Sequence, residues 1–138
     1  MLIELISENQ HSSVVLSDIM SHPVITVSDD TKMEEAAVIL RDMGCSGAPV
    51  VDKDGHIVGI LSRRDFEKTR KPKHMHSVVK AFMNRNVITI SNDKSVIDTV
   101  KLMIKHDIGR IPVMKDDKIV GIITRSDVMM YFYDLMPD

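Results

Sequence analysis

Hydrophobic and polar positions follow one order along this chain, and that order occurs twice, about 63 residues apart. In each copy a short apolar stretch (24–27, and again 87–90) leads through polar residues into a segment with apolar side chains at helical spacing. The apolar helical positions are Met33, Ala36, Ala37 and Leu40 in the first copy, and Val96, Val100, Met103 and Ile104 in the second. We therefore expect one amphipathic helix per copy.

The rest of each copy predicts a hairpin and a second helix. Two apolar runs separated by a polar turn are typical of a β-hairpin, and they occupy 48–51 and 57–61, then 111–114 and 119–123. A short helix is expected after each hairpin. Each copy is thus predicted to have the element order β-α-β-β-α. Because a sheet with both helices on one side leaves its other face apolar, we expect the two copies to pack sheet against sheet.

Helix starts and domain boundaries follow from the same pattern. Thr31 followed by Glu34, and Ser95 followed by Asp98, predict capping boxes. The predicted organisation is an N-terminal segment at 1–13, repeat 1 at 14–68, a basic linker at 69–76 and repeat 2 at 77–134. From residue 63 to residue 73 the chain carries six positive and two negative side chains. A solvated linker and a contact with phosphate, from a nucleotide or from RNA, are both compatible with that charge.

Composition and charge exclude several classes of protein. A hydrophobic fraction of 43% with a formal net charge of −2 gives no general attraction to nucleic acid or to anionic membranes. The only cysteine, Cys45, excludes an internal disulfide. No run approaches the ~20 apolar residues that cross a bilayer. We expect a soluble, cytoplasmic protein without membrane contact.

Residue patterns for catalysis and for metal binding are missing from the sequence. The six histidines show no zinc spacing, and no glycine-rich phosphate loop is present. No nucleophile is paired with a base. We expect neither an enzyme nor a metal site nor a catalytic cofactor.

Motifs shared by the copies resemble those of a known family. The pattern Gly-h-h-(Ser/Thr)-x-x-Asp (h, apolar) occurs at 59–65 and at 121–127, after a Met-x-x-x-h-h-Thr stretch and an h-Pro-h-h strand in each copy. Two such matches in register, covering about residues 14–134, resemble a tandem pair of CBS domains, also called a Bateman module. The resemblance implies an α+β fold of two β-α-β-β-α repeats, packed sheet-to-sheet with pseudo-two-fold symmetry.

A narrower resemblance concerns the region around the linker. Residues 62–68, 76–83 and 133–138 are similar to the CBS pair within long bacterial tRNA nucleotidyltransferases, which are related to poly-A polymerases. This similarity implies a regulatory segment or a free-standing relative of those enzymes.

The CBS resemblance also implies a ligand, an adenosine derivative such as AMP, ADP or ATP, bound in clefts between the repeats. The predicted ligand-binding residues are Thr89, Arg110, Ile111, Pro112, Thr124, Arg125 and Asp127 in repeat 2, with Thr26, Ala48, Ser62, Arg63 and Asp65 in repeat 1. Adenine contacts are expected from backbone and apolar side chains in the same strands.

The expected roles of these residues follow from their chemistry, and each has a structural alternative. A carboxylate such as Asp127 can accept hydrogen bonds from a ribose diol, but it can equally cap a helix. A hydroxyl such as Thr124, just before a helix, offers a phosphate seat. Arg110 would clamp phosphate with its guanidinium group, whereas repeat 1 has Gly47 at that position. The repeat 2 site is therefore preferred.

The resemblance predicts a regulatory, nucleotide-sensing module that acts on an effector protein and forms a homodimer through the faces of its CBS helices. Two alternatives remain open. The first is a structural dimerisation module without a ligand. The second is a regulatory segment linked to a tRNA nucleotidyltransferase.

Overall fold

The computed structural model describes residue 14, residues 16–21 and residues 24–137. The predicted N-terminal segment at 1–13 lies outside this described part. No helix in the described part is long and apolar enough to cross a membrane.

Both copies contain the predicted elements in the predicted order. Copy one has β1 (Val27–Ser28), α1 (Met33–Asp42), β2 (Gly47–Val51), β3 (Ile57–Ser62) and α2 (Arg63–Phe66). Copy two has β4 (Ile90–Ser91), α3 (Val96–His106), β5 (Arg110–Lys115), β6 (Lys118–Thr124) and α4 (Arg125–Leu135). The α+β class and the β-α-β-β-α order are confirmed.

Each copy forms a three-stranded sheet with the short first strand at one edge, in the orders β1-β2-β3 and β4-β5-β6. The first pair of strands is parallel and the hairpin is antiparallel in both sheets. A proline lies in each middle strand, where a missing N–H normally disrupts pairing. Here the parallel partner begins one residue later, since Val27 pairs with Val50 and Ile90 with Val113. Pro49 and Pro112 therefore have no strand to bond on that side.

The described residues divide into two compact units, Ile25–Val87 and the residues that flank it on both sides. This division cuts across the sequence repeats, because the first segment of each repeat packs on the sheet of the other. We call residues 16–21 and 77–84 the leading segments. Ser21 N–H donates to the Ile122 carbonyl (2.7 Å) on β6, and Asn84 N–H donates to the Ile60 carbonyl (2.9 Å) on β3. The periodicity of the sequence identifies repeats, but it does not identify strand partners.

Each unit has its own hydrophobic core, to which a leading segment contributes. In one unit Leu16 and Ile123 are fully buried together, and in the other Met33 and Val79 are fully buried. Burying a side chain of this size stabilises the folded state by about 1.5–3 kcal/mol. The leading segments are therefore structural parts of the units on which they pack.

One predicted capping box is confirmed and the other is wrong. Ser95 and Asp98 cap α3 reciprocally, with N–H···O distances of 3.2 and 3.1 Å. The box predicted at Thr31 and Glu34 does not form, because α1 begins at Met33 with Lys32 at its N-cap. The Met33 N–H instead donates to the Ser77 carbonyl (2.8 Å), so the leading segment supplies the acceptor.

The basic linker predicted at 69–76 is partly ordered as a 3₁₀ turn at Pro72–His76. Its end contacts α1, where His76 Nδ1 lies 3.3 Å from Glu34 Oε1. The His74 ring lies 5.4 Å from the Phe82 ring. The segment therefore lies against its own unit at this end.

Candidate functional site

Repeat 2 brings three predicted ligand-binding residues to one end of its sheet. Arg110 is the first residue of β5 and pairs with Thr124, the last residue of β6. Asp127 lies in the first turn of α4, and its Oδ2 accepts from the Thr124 N–H (2.8 Å) while its own N–H donates to Thr124 Oγ1 (3.1 Å). The hydroxyl-x-x-Asp motif is therefore a capping box, which the sequence analysis named only as an alternative role.

The Asp127 carboxylate is only partly used by this cap. Its Oδ1 receives a single long contact from another described residue, the Ser21 hydroxyl at 3.4 Å. That separation is beyond the usual range for an O–H···O hydrogen bond. Asp127 is half-buried, so one carboxylate oxygen remains able to accept from a ligand. Sequence reasoning missed Ser21, which belongs to a leading segment and carries no motif of its own.

A second arginine lies beside Arg110. The Arg125 N–H donates to the Gly109 carbonyl (2.8 Å). Its guanidinium carbon lies 3.4 Å from the point that a Cβ on Gly109 would occupy. The bare glycine backbone thus accommodates a guanidinium group next to the start of β5. Two cationic side chains flank the same sheet end, which suits an anionic group.

The remaining predicted residues of repeat 2 divide by exposure. Thr89 is exposed directly before β4. Ile111 is fully buried in the core, and Pro112 is also buried. Ligand contacts from these two residues would therefore come from the backbone. Partial burial raises the pKa of the Tyr131 phenol on α4 above its ordinary value.

Repeat 1 places its matching residues differently. Asp65 Oδ2 accepts from the Ser62 N–H (2.8 Å), and Asp65 Oδ1 accepts from Lys68 Nζ (2.9 Å). Only 3% of Asp65 is exposed. Both carboxylate oxygens are thus engaged, one by the cap and one by an ammonium group that the sequence analysis did not single out. Asp65 is therefore less available to a ribose than Asp127.

The other predicted residues of repeat 1 include one cation, Arg63, but no counterpart of Arg110. Thr26 and Arg63 are exposed, whereas Ala48 is fully buried. Gly47 is buried at the position that Arg110 occupies in repeat 2. The structure therefore retains the asymmetry that the sequence predicts between the two sets.

A family model for the CBS domain matches residues 16–70 and 79–134, which is most of the chain. The chain belongs to the CBS-domain family. Each match includes one capping box at a Gly-h-h-(Ser/Thr)-x-x-Asp motif, at Ser62 and at Thr124.

The most informative structural neighbour is a CBS domain pair. The CBS domain pair of protein MJ0100 matches this chain with a TM-score of 0.80 and 32% sequence identity. It was solved in complex with 5′-methylthioadenosine and S-adenosyl-L-methionine. The match covers 89% of this chain and 98% of that one. The resemblance therefore extends over nearly the whole of a CBS pair.

Two curated relatives are longer than this chain. Protein MJ1232 of Methanocaldococcus jannaschii is 32% identical over 100% of this chain and 46% of its own length. The A-adding tRNA nucleotidyltransferase of Aquifex aeolicus is 28% identical over 93% of this chain and 15% of its own length. The chain thus spans less than half the length of both relatives.

One group of potential metal ligands occurs in the described part of this CBS pair. The ligand atoms of Asp52, Asp54 and His56 lie within 4.8 Å of one another in the turn between β2 and β3. Asp52 Oδ1 already accepts from the N–H groups of Asp54 (3.0 Å) and His56 (2.9 Å). Stabilisation of the turn accounts for this arrangement.

Proposed function

We propose that the chain is a regulatory module that binds an adenosine derivative through Asp127, Thr124 and Arg110 of repeat 2. The observation that carries the proposal is the second Asp127 oxygen, which the capping box leaves to accept from a ribose hydroxyl. The proposal is supported by the CBS pair of protein MJ0100, which binds two adenosine derivatives.

The proposed contacts divide the ligand into two parts. The Asp127 carboxylate would accept from the ribose, because a carboxylate offers only acceptors and a diol offers donors. The guanidinium groups of Arg110 and Arg125 would contact a 5′-phosphate, where planar forks match pairs of oxygens. AMP, ADP and ATP all satisfy this description.

We propose that the module senses its ligand without transforming it, in the cytoplasm. Binding changes an equilibrium only through different affinities for two arrangements of the protein. An effector protein, or the remainder of a longer chain, would respond to that change. A ligand-free dimerisation module is the alternative, and it predicts no adenosine binding.

The test is isothermal titration with adenosine and AMP, comparing the wild type with Asp127→Asn. Asparagine retains an acceptor for the cap but loses the charge and one acceptor, so we expect adenosine affinity to fall at least about tenfold with little change in Tm. Asp98→Asn is the matched control, because Asp98 occupies the same place in the α3 capping box. Equal affinity in wild type and Asp127→Asn would contradict the proposed site, and no binding by the wild type would favour the dimerisation module.

A second function is favoured by the similarity to the A-adding tRNA nucleotidyltransferase. We propose that the exposed basic residues Arg70, Lys71 and Lys73 contact tRNA in such a context. Neutralising all three to Gln should weaken tRNA binding in a fluorescence-anisotropy titration and flatten its salt dependence. Neutralising Lys53, Lys115 and Lys118, which lie in hairpin turns or at the strand ends beside them, gives the same change of net charge as a control. Equal binding by both triple variants would remove this function.

A further inference from the structure

A shallow depression of about 380 Å³ lies between β4 and α3, and Asp127 is not among its lining residues. We call it the lysine groove. Its lining residues are Thr89, Ile90, Ser91, Lys94, Asp98, Lys101, Leu102 and Lys105. Three ammonium groups face one carboxylate, so the lining is positively charged.

Two of the three lysines lie on one face of α3. Asp98, Lys101 and Lys105 are spaced by three and four residues along the helix, and Lys94 lies just before it. Within the described residues no carboxylate lies within ion-pairing distance of Lys94 or Lys105. Asp98 Oδ2 accepts from the Ser95 N–H (3.2 Å), so part of its charge serves the cap.

Helix stability explains only part of this arrangement. Lys105 lies in the last turn of α3, where the helix dipole favours a cation, and Asp98 is three residues from Lys101. Lys94, in contrast, directly precedes the N-cap Ser95, where the positive end of the helix dipole disfavours a cation. A bound anion would relieve this unfavourable charge.

The opposite wall supplies hydroxyl donors at the free edge of the sheet. β4 is an edge strand, and the hydroxyls of Thr89 and Ser91 make no hydrogen bond to another described residue. In repeat 1 the matching hydroxyl, Ser28, donates to Asp30 Oδ1. Ile90 and Leu102 add apolar surface to the lining.

Repeat 1 also serves as an internal comparison for charge. Its residues at the positions of Lys94, Asp98, Lys101 and Lys105 are Thr31, Glu35, Val38 and Asp42. The same backbone surface is thus acidic in one copy and basic in the other. The duplication alone does not impose the positive charge.

We propose that the lysine groove binds a ligand with several linked phosphates, such as a free oligophosphate or the triphosphate of a nucleotide. Three ammonium groups and two hydroxyls offer donors only, and phosphate oxygens offer acceptors. This inference goes beyond the adenosine site, because the groove includes none of Asp127, Thr124 and Arg110 and shares only Thr89 with the ligand-binding residues predicted for repeat 2.

The test is a titration of the whole chain with inorganic tripolyphosphate, with orthophosphate and sulfate for comparison. Binding is measured by calorimetry and located by amide NMR shifts. We expect tripolyphosphate to bind more tightly than either small anion, with the largest shifts at Ser91, Lys94 and Leu102. Lys94→Gln, Lys101→Gln and Lys105→Gln together should weaken binding at least about tenfold. The control triple variant, Lys53→Gln, Lys115→Gln and Lys118→Gln, should change affinity less than about twofold.

Each outcome decides for or against the groove. Equal losses in the two triple variants, shifts located elsewhere, or no tripolyphosphate binding by the wild type would overturn the proposal. Lys105→Gln alone, at an exposed position, provides a second reading if the triple variant unfolds. Adenosine lacks phosphate and tripolyphosphate lacks a nucleoside, so the two sites can fail separately. Titrating Asp127→Asn with ATP and with tripolyphosphate separates a nucleotide from a free oligophosphate. A free oligophosphate would bind this variant as tightly as the wild type, whereas a nucleotide would bind it more weakly because its nucleoside site is impaired.

Discussion

Two glycines in matching strands, Gly59 on β3 and Gly121 on β6, lie directly against methionines of the leading segments. A Cβ on Gly59 would lie 2.5 Å from Met83 Sδ, and one on Gly121 would overlap Met20 Sδ and lie 2.7 Å from its Cε. These glycines open the shared Gly-h-h-(Ser/Thr)-x-x-Asp motif. Their place in it is therefore explained by close packing, even though the same motif carries the candidate ligand residues.

Gly59→Ala should destabilise the protein by about 1–3 kcal/mol, the usual penalty for overpacking a core. The added methyl group would also approach the Asn84 carbonyl, 3.1 Å from the ideal Cβ position, and a backbone group cannot move aside easily. Urea unfolding measures the change.

The double variant Gly59→Ala with Met83→Ala is the control for this prediction. Removing the methionine side chain makes room for the methyl group, so the two effects should be less than additive. A Gly59→Ala protein as stable as the wild type would contradict the packing explanation.

Among the helices and strands, the sequence predicted an element best where the pattern of apolar residues lies within that element alone. The stripe of Met33, Ala36 and Leu40 predicts α1, and those side chains are buried. Prediction failed at the start of α1, where the distant Ser77 supplies the bond. It also missed the pairing of the Asp65 carboxylate with Lys68, although Lys68 is only three residues away. No local spacing marks the Ser77 contact, and Lys68 has no motif to separate it from a solvated lysine.

The α4 helix carries an exposed apolar face that fits the homodimer predicted from the family resemblance. Met129, Met130 and Tyr133 are 64%, 56% and 67% exposed, and Ile104 on α3 is 76% exposed. Adjacent apolar side chains at this exposure are typical of an interaction surface.

Met130→Glu should therefore shift the protein from dimer to monomer, because it places a charge within that surface. Sedimentation velocity at several protein concentrations measures the shift. Lys118→Gln makes the same change of net charge in the hairpin between β5 and β6 and should leave the dimer intact. A wild-type protein that is monomeric at all concentrations would exclude this interface.

Across the whole molecule, the two repeats share a backbone plan but differ in chemistry. Asp65 is buried against Lys68, whereas Asp127 is half-buried with an oxygen available. Gly47 stands where repeat 2 has Arg110. A duplicated fold thus contains two unequal candidate sites. The sequence indicated this inequality through Arg110, but it did not indicate the part that Lys68 plays.

We expect one adenosine or AMP per chain in a calorimetric titration, bound at repeat 2. Binding at repeat 1 would require Asp65 to give up Lys68 or the cap, and an unpaired carboxylate at that depth is unfavourable. Two equivalent sites per chain would show that Asp65 is accessible despite these contacts.

The exchange of leading segments has a consequence for how the chain folds. Ser21 and Asp127 are separated by 106 residues, so the contacts that complete one unit form only after most of the chain has been synthesised. Contacts between residues so far apart in sequence slow folding, because a long loop must close before they form. Cutting the chain in the linker would leave each fragment with a segment that packs on the other, and with the edge of its own sheet uncovered. The two sequence repeats are therefore interdependent in folding, and we expect mixed fragments to reassemble where single fragments aggregate.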